Sequence, residues 1–365
     1  MDLVFGWRTA ILTVAAAILL PLAIALWSSL RNRVAARTLA AALVAMTGVF
    51  LPWLIGFAGF YDRWRWLTFA PFSNPLLVPP LLYLHAHGLV HGRWLGRGWR
   101  HLMPGTAQFA YGAGAFLLPM RLKEQWSAFA YPAMDAVSAA LLAASFALYG
   151  SWTARLLRSY RAALAAERSD DALFAAAWLD RAMAAFTGLA LLWAAYLLTD
   201  AVVPLGYKGL MPLYTGIAGF ALYLGIVGWR HLALPFPELD ALRAPPPVPT
   251  PARDWSAQGA VWAARTREAL WYREESLTLR QLAGLLATNE SYLSRALNEG
   301  LGMSFSEFVN GLRCEEVASA LRAGDPRPVL ALAMDAGFAS KASFNRAFQQ
   351  RFGCAPSMMR ASHNP

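Results

Sequence analysis

Along residues 1 to 234 the apolar positions run in long blocks, whereas in residues 255 to 365 they recur every three or four positions between polar ones. The first pattern predicts helices that are apolar on every side; the second predicts amphipathic helices with one buried face. The blocks fall at about 10 to 29, 39 to 60, 69 to 90, 103 to 120, 130 to 153, 182 to 203 and 210 to 233. Each is long enough, or nearly so, for the roughly 20 apolar residues that a bilayer crossing needs. Between the two patterns lies PFPELDALRAPPPVPTPARD, residues 235 to 254, with seven prolines. Proline removes backbone donors and favours extended geometry, so this stretch reads as a semi-rigid spacer rising about 3.1 Å per residue. The pattern as a whole predicts an all-α chain in three parts: a seven-helix transmembrane bundle over 1–234, a linker over 235–254 and a helical domain over 255–365.

Charge orients the first part. The segments after the first, third and fifth blocks carry Arg31, Arg33 and Arg37; Arg93, Arg97 and Arg100; and Arg155, Arg158, Arg161, Arg168 and Arg181. The alternate segments hold Arg63 and Arg65, then Arg121 and Lys123, then Lys208. The positive-inside rule puts the N-terminus outside and everything after residue 234 in the cytoplasm. An odd number of crossings agrees. The first block is too long, and too closely followed by others, for a cleaved signal peptide.

Composition changes the picture in one respect. The chain is 57% hydrophobic and carries a net charge of +10, which invites a nucleic-acid reading. Residues 1 to 234, however, hold 18 Lys and Arg against 9 Asp and Glu, while residues 255 to 365 hold 12 against 10. The excess belongs mostly to membrane topology, so it says nothing about DNA. Trp27, Trp53, Trp64, Trp66, Trp126 and Trp229 fall near block ends and suit an aromatic belt. Cys314 and Cys354 have neither metal spacing nor a disulfide framework and read as buried thiols in a reducing compartment.

The second part contains an internal repeat. LTLRQLAGLLATNESYLSRALNEGLG, residues 277 to 302, lies over PVLALAMDAGFASKASFNRAFQQRFG, residues 328 to 353, with an offset of 50 that becomes 51 across a turn. Both halves read as helix, short turn, helix. Thr278 with Gln281 has the form of a capping box, and Asn289 and Ser340 suit the N-caps of the second helices. Ala283 and Ala333 are small where two helices must cross closely, and Gly353 suits a left-handed helix end. Phe344, Ala347, Phe348 and Phe352 share one face, opposite Lys341, Ser343, Asn345, Arg346, Gln349 and Gln350. From Ala336 onward there is no acidic residue. Paired units of this kind suit phosphate contacts and base-edge readout in the major groove.

At these residues the chain resembles the DNA-binding domain of the AraC/XylS family of bacterial transcription regulators, from about Leu277 to Arg360. The likeness runs through LTLRQLAGLL, YLSRALNEGLGMSFSEFVNGLR, AMDAGFASKASFNRAFQQRFG and the closing Gly353, Pro356 and Arg360. Ala287 departs from it, standing in the first turn where the family often has Gly, as does Leu332 in place of a frequent Ile. The resemblance implies two helix-turn-helix units joined by a long helix over about 304 to 323, with Phe305, Phe308, Val309 and Leu312 on its core face. It implies DNA contacts from Ser291, Ser294 and Arg295 in the first reading helix and from Lys341, Ser343 and Arg346 in the second. Asn345 joins them from the helix face alone. Glu290 and Glu299 flank Arg295, so the second unit is expected to supply more phosphate attraction. The stretch NPLLVPPLLYLHAHGLVHGRWLGRGWRHLMP resembles the corresponding stretch in a subset of AraC-type regulators with a multi-span N-terminal region.

The expected protein is a membrane-embedded regulator of the bacterial inner membrane that binds promoter DNA, works with RNA polymerase and needs no cofactor. Two reading helices in one chain can reach successive major-groove faces about 34 Å apart, so a homodimer is allowed but not required. Asp135 in the fifth block and Asp200 toward the outer end of the sixth are the candidate signal-sensing residues, because an ionisable group inside a membrane usually faces a partner or cavity. His87 and His91 lie one helical turn apart but lack the further ligands of a metal site, and no catalytic constellation or nucleotide loop is present in residues 1 to 234. The alternatives are a passive anchor with control by abundance or proteolysis, and a transporter-like domain coupled to the DNA-binding module.

Overall fold

The computed structural model describes residues 3, 5–200, 202–242 and 254–361. It divides into two compact units: residues 1–157 with 177–238, and residues 158–176 with 239–365. Among the described residues there is no β-strand; a single antiparallel bridge pairs Arg168 with Thr278. Of the expected linker, residues 243–253 lie outside the described residues, and Leu239–Leu242 is one helical turn.

The first unit contains α1 (Trp7–Trp27), α2 (Arg33–Phe57), α3 (Val78–His91), α4 (Met103–Phe116), α5 (Met120–Phe129), most of α6 (Tyr131–Glu167), α7 (Ala177–Asp200) and α8 (Met211–Leu232). α2 packs against α1, α3 and α8, and α1 also packs on α8. On α1, Leu12, Ala15, Leu19, Ala23 and Leu26 form the buried face at three- and four-residue spacing. Its remaining surface is apolar as well, with Ile11, Val14, Ile18 and Ile24 exposed. Helices apolar on both their packed and their open faces are those a lipid solvent requires. Gly88 of α3 lies so close to the Ala35 backbone that a Cβ there would meet its amide nitrogen at 2.9 Å. Small residues of this kind let helices approach.

Among the described residues five helices are long and apolar enough to cross a membrane, within the segments Trp7–Trp27, Arg33–Phe57, Tyr131–Glu167, Asp171–Asp200 and Lys208–Leu232. They correspond to the first, second, fifth, sixth and seventh expected blocks. The third and fourth blocks form the shorter helices α3 and α4, each of 14 residues. At 1.5 Å per residue each spans about 21 Å, against a hydrocarbon core of about 30 Å. Proline is the physical reason. Pro75 opens a 3₁₀ turn over Pro75–Leu77, Pro79 and Pro80 occupy the first turn of α3, Pro104 the first turn of α4, and Pro119 precedes α5. Proline is accommodated in a first turn, where its missing N–H is not needed.

The second unit holds α9 (Trp255–Glu268), α10 (Leu279–Leu285), α11 (Glu290–Arg295), α12 (Phe305–Arg322), α13 (Val329–Asp335), α14 (Lys341–Phe352) and α15 (Pro356–Ala361). It has two cores, and α12 serves both. Phe305, Phe308, Val309 and Leu312 enter the first with Trp255, Trp262, Leu282, Leu293 and Leu297. Cys314, Val317, Ala318 and Leu321 enter the second with Leu332, Phe338, Phe344 and Phe348. Burial pushes the Cys314 thiol up to about 12, which keeps it protonated and inert.

Candidate nucleic-acid interface

Each helix pair is built from capping chemistry. Thr278 and Gln281 form a reciprocal capping box at the start of α10, and Asn289 accepts from the Tyr292 amide at 2.8 Å to open α11. Ser340 accepts from the Ser343 amide at 3.1 Å to open α14, and Gly353 ends that helix at φ 71°. A second capping box, Ser304 with Glu307, starts the joining helix α12. The turns between paired helices each need one left-handed residue, Ala287 at φ 54° in the first and Gly337 at φ 96° in the second. Within the second unit α14 turns Phe344, Phe348 and Phe352 inward, with neighbouring ring centroids 5.4 and 4.7 Å apart.

The outward residues of α14 are Lys341, Asn345, Arg346, Gln349 and Gln350, all exposed. Ser343 is half-buried, and its hydroxyl donates to the Ser340 carbonyl at 2.8 Å, so its position is that of a cap partner. In the first unit Ser291 and Ser294 are half-buried, and the Ser294 hydroxyl accepts from the Asn298 amide group at 3.2 Å. Arg295 pairs with Glu299 at 2.8 Å and lies 4.7 Å from the Trp255 ring centre. α11 then widens into a π-helical turn over Ala296–Gly300, where α14 remains α-helical throughout. Arg360 donates to the carbonyls of Asp325 and Arg327, at 3.1 and 2.6 Å, tying the last helix to the loop before α13.

In the first unit of the chain, Asp135 is exposed on α6. The Asp200 carboxylate accepts from the backbone amides of Leu205 and Gly206, at 2.7 and 3.2 Å, and so shapes the loop after α7. His85 is buried and bonded through Nδ1 to the Ala35 carbonyl at 2.8 Å, whereas His87 and His91 stack at 4.4 Å.

Sequence reasoning missed the buried centre of the helix-turn-helix module. Arg313 of α12 is 1% exposed and donates to the carbonyls of Tyr272 and Glu274 and to the side chains of Asn310 and Ser169. Burial lowers its pKa to about 10, which leaves it charged at neutral pH. Segment 158–176 packs with it: the Ser169 amide donates to the Leu277 carbonyl at 3.1 Å, and Asn310 donates to the Ser169 carbonyl at 3.0 Å. The Asp171 carboxylate accepts from the Ser306 hydroxyl at 3.0 Å and lies 3.5 Å from the Arg346 guanidinium. An arginine in the middle of an amphipathic helix gave one sign, but partners more than 100 positions away gave none.

The family described as a helix-turn-helix domain matches residues 282–362. The C-terminal region therefore carries an AraC-type helix-turn-helix domain, of the class used in DNA-binding transcription regulation. The solved structure of the C-terminal domain of AraT, a response regulator from Geobacillus stearothermophilus, is 27% identical; the match covers 28% of this chain and 84% of that one, with a TM-score of 0.25. No curated protein matches the chain.

Proposed function

We propose that this chain is a membrane-embedded one-component transcription regulator that binds promoter DNA in a sequence-specific way. The observation that carries the reading is the pair of helix-turn-helix units sharing α12, each with a capped second helix and a polar outer face. In this reading Arg295, Lys341, Asn345 and Arg346 contact DNA, Ser291 and Ser294 add shorter contacts, and Ser343 positions the start of α14. RNA polymerase is the machinery regulated. Five long apolar helices with apolar open faces support a place in the bacterial inner membrane. The shorter α3 and α4, extended by the turns before them, complete seven crossings in this proposal, which puts the DNA-binding domain in the cytoplasm as the arginine distribution requires. Asp135 is the proposed sensing residue, since its carboxylate stands exposed on an apolar helix.

Two measurements test the proposal. Genome-wide mapping of the bound chain should find discrete promoter sites, and a uniform distribution would remove sequence-specific binding. Reporter fusions at the C-terminus should report the cytoplasm; a periplasmic signal would overturn the topology and the function together.

A further inference from the structure

We infer that residues Glu167 to Asp171 are a built-in competitor of DNA, docked across both helix-turn-helix units so that Asp171 occupies the Arg346 guanidinium that a nucleic acid would need. The inference rests on the DNA-binding reading above and adds to it a means of control.

The docking is specific along its length. Arg168 bridges Thr278, at the mouth of the first unit, and Ser169 is held by Leu277, Asn310 and Arg313. Arg168 also binds Asp170 through two contacts of 2.7 and 2.8 Å, which neutralises Asp170 inside the segment. Two acids are left to face the reading helices. Glu167 is close enough to Glu290, the first residue of α11, and to Arg280 for both to act on its ionisation. Asp171 faces Arg346 and is fixed by Ser306. The contact engages one terminal nitrogen of Arg346 at 3.5 Å, so a guanine or phosphate that takes the whole guanidinium fork must displace Asp171. The carboxylates would also sit against the phosphate backbone, where like charge repels.

Connectivity gives the device its purpose. The segment continues α6 on one side and leads into α7 on the other, and both are among the helices long and apolar enough to cross a membrane. A movement of those helices would pull directly on the segment. By linkage, whatever factor docking takes from DNA affinity, DNA takes from docking.

The test uses the full chain in lipid nanodiscs with a mixed-sequence DNA duplex at low salt. Asp171→Asn keeps the shape and removes the charge facing Arg346, and should tighten DNA binding roughly two- to fivefold, the range of an exposed ion pair. Binding no tighter than the parent's would overturn the inference. Arg168→Cys combined with Thr278→Cys provides a lock, because residues opposed in an antiparallel bridge have Cα atoms roughly 4.5 to 5.5 Å apart, a separation a disulfide can span. The oxidised chain should bind DNA severalfold more weakly than the same chain after reduction. Equal binding in the two states would overturn the inference as well. If the parent chain, Asp171→Asn and the reduced lock all fail to bind DNA, it is the DNA-binding reading that falls.

Discussion

The two helix-turn-helix units have the same plan but draw the acid that meets the second-helix arginine from different places. In the first, Arg295 of α11 is paired from within: Glu299 meets it one turn on, and its guanidinium carbon lies 4.7 Å from the Trp255 ring centre. In the second, the corresponding Arg346 has no acid on its own helix, and the carboxylate that meets it comes from Asp171, 175 positions away. Backbone conformation divides them too, since a left-handed alanine makes the first turn and a left-handed glycine the second. The second helix of each unit has a side-chain cap and a buried apolar face, while the acid that meets its arginine comes from a different part of the chain. An ion pair within one helix stays with its unit, whereas a pair with a distant segment is lost when that segment moves away.

The difference in turns should give the largest effect. At Gly337 a Cβ would press into the Arg273 carbonyl in addition to the left-handed strain. Gly337→Ala should therefore destabilise the second unit by about 3 kcal/mol, the sum of strain and clash. Hydrogen exchange on the full chain would locate the loss; protection falling equally in both units would break the comparison. Next comes DNA affinity. Arg346→Ala should weaken specific binding by roughly 1 to 3 kcal/mol if the residue reads a base, and Arg295→Ala should weaken it less, because Glu299 already competes for that guanidinium. Gel shifts with a mapped promoter site decide it, and equal losses would show that the internal pair gives way to DNA at no cost.

Much of this module was legible in the sequence for a local reason. Thr278, Gln281, Asn289, Ser340 and Gly353 act on backbone groups within a few residues, and the phenylalanines of α14 follow a period that one helix sets alone. The apolar helices were legible as blocks, but α3 and α4 were not legible as short ones, because proline spacing decides where a helix can start within an apolar run. Ser343 has the composition of a DNA contact and the geometry of a cap partner, a distinction set by its hydroxyl rotamer. Least legible were Arg313, Ser169 and Asp171, whose meaning lies in contacts between distant parts of the chain.

Smaller effects sharpen the contrast. Ala287→Gly should relieve left-handed strain in the first turn and stabilise that unit by up to about 1 kcal/mol, the entropic cost of glycine offsetting part of the gain; a loss of stability in thermal unfolding would show that Ala287 is held by packing. The smallest effect concerns the two acids of the docked segment. Burial, reinforced by Glu290 and opposed by Arg280, raises the Glu167 carboxyl to about 7, and burial raises Asp171 against the pull of Arg346. A carboxyl raised by docking takes up a proton when the segment docks, so docking is favoured on the acid side and weakens as pH rises through 7. Protection factors for the amides around Ser169, corrected for intrinsic exchange, should fall between pH 6 and pH 8. Glu167→Gln should flatten that fall while leaving the Asp171 contact with Arg346 in place. A slope unchanged by Glu167→Gln would assign the titration to another group and leave the like-charge pair at the first unit without consequence.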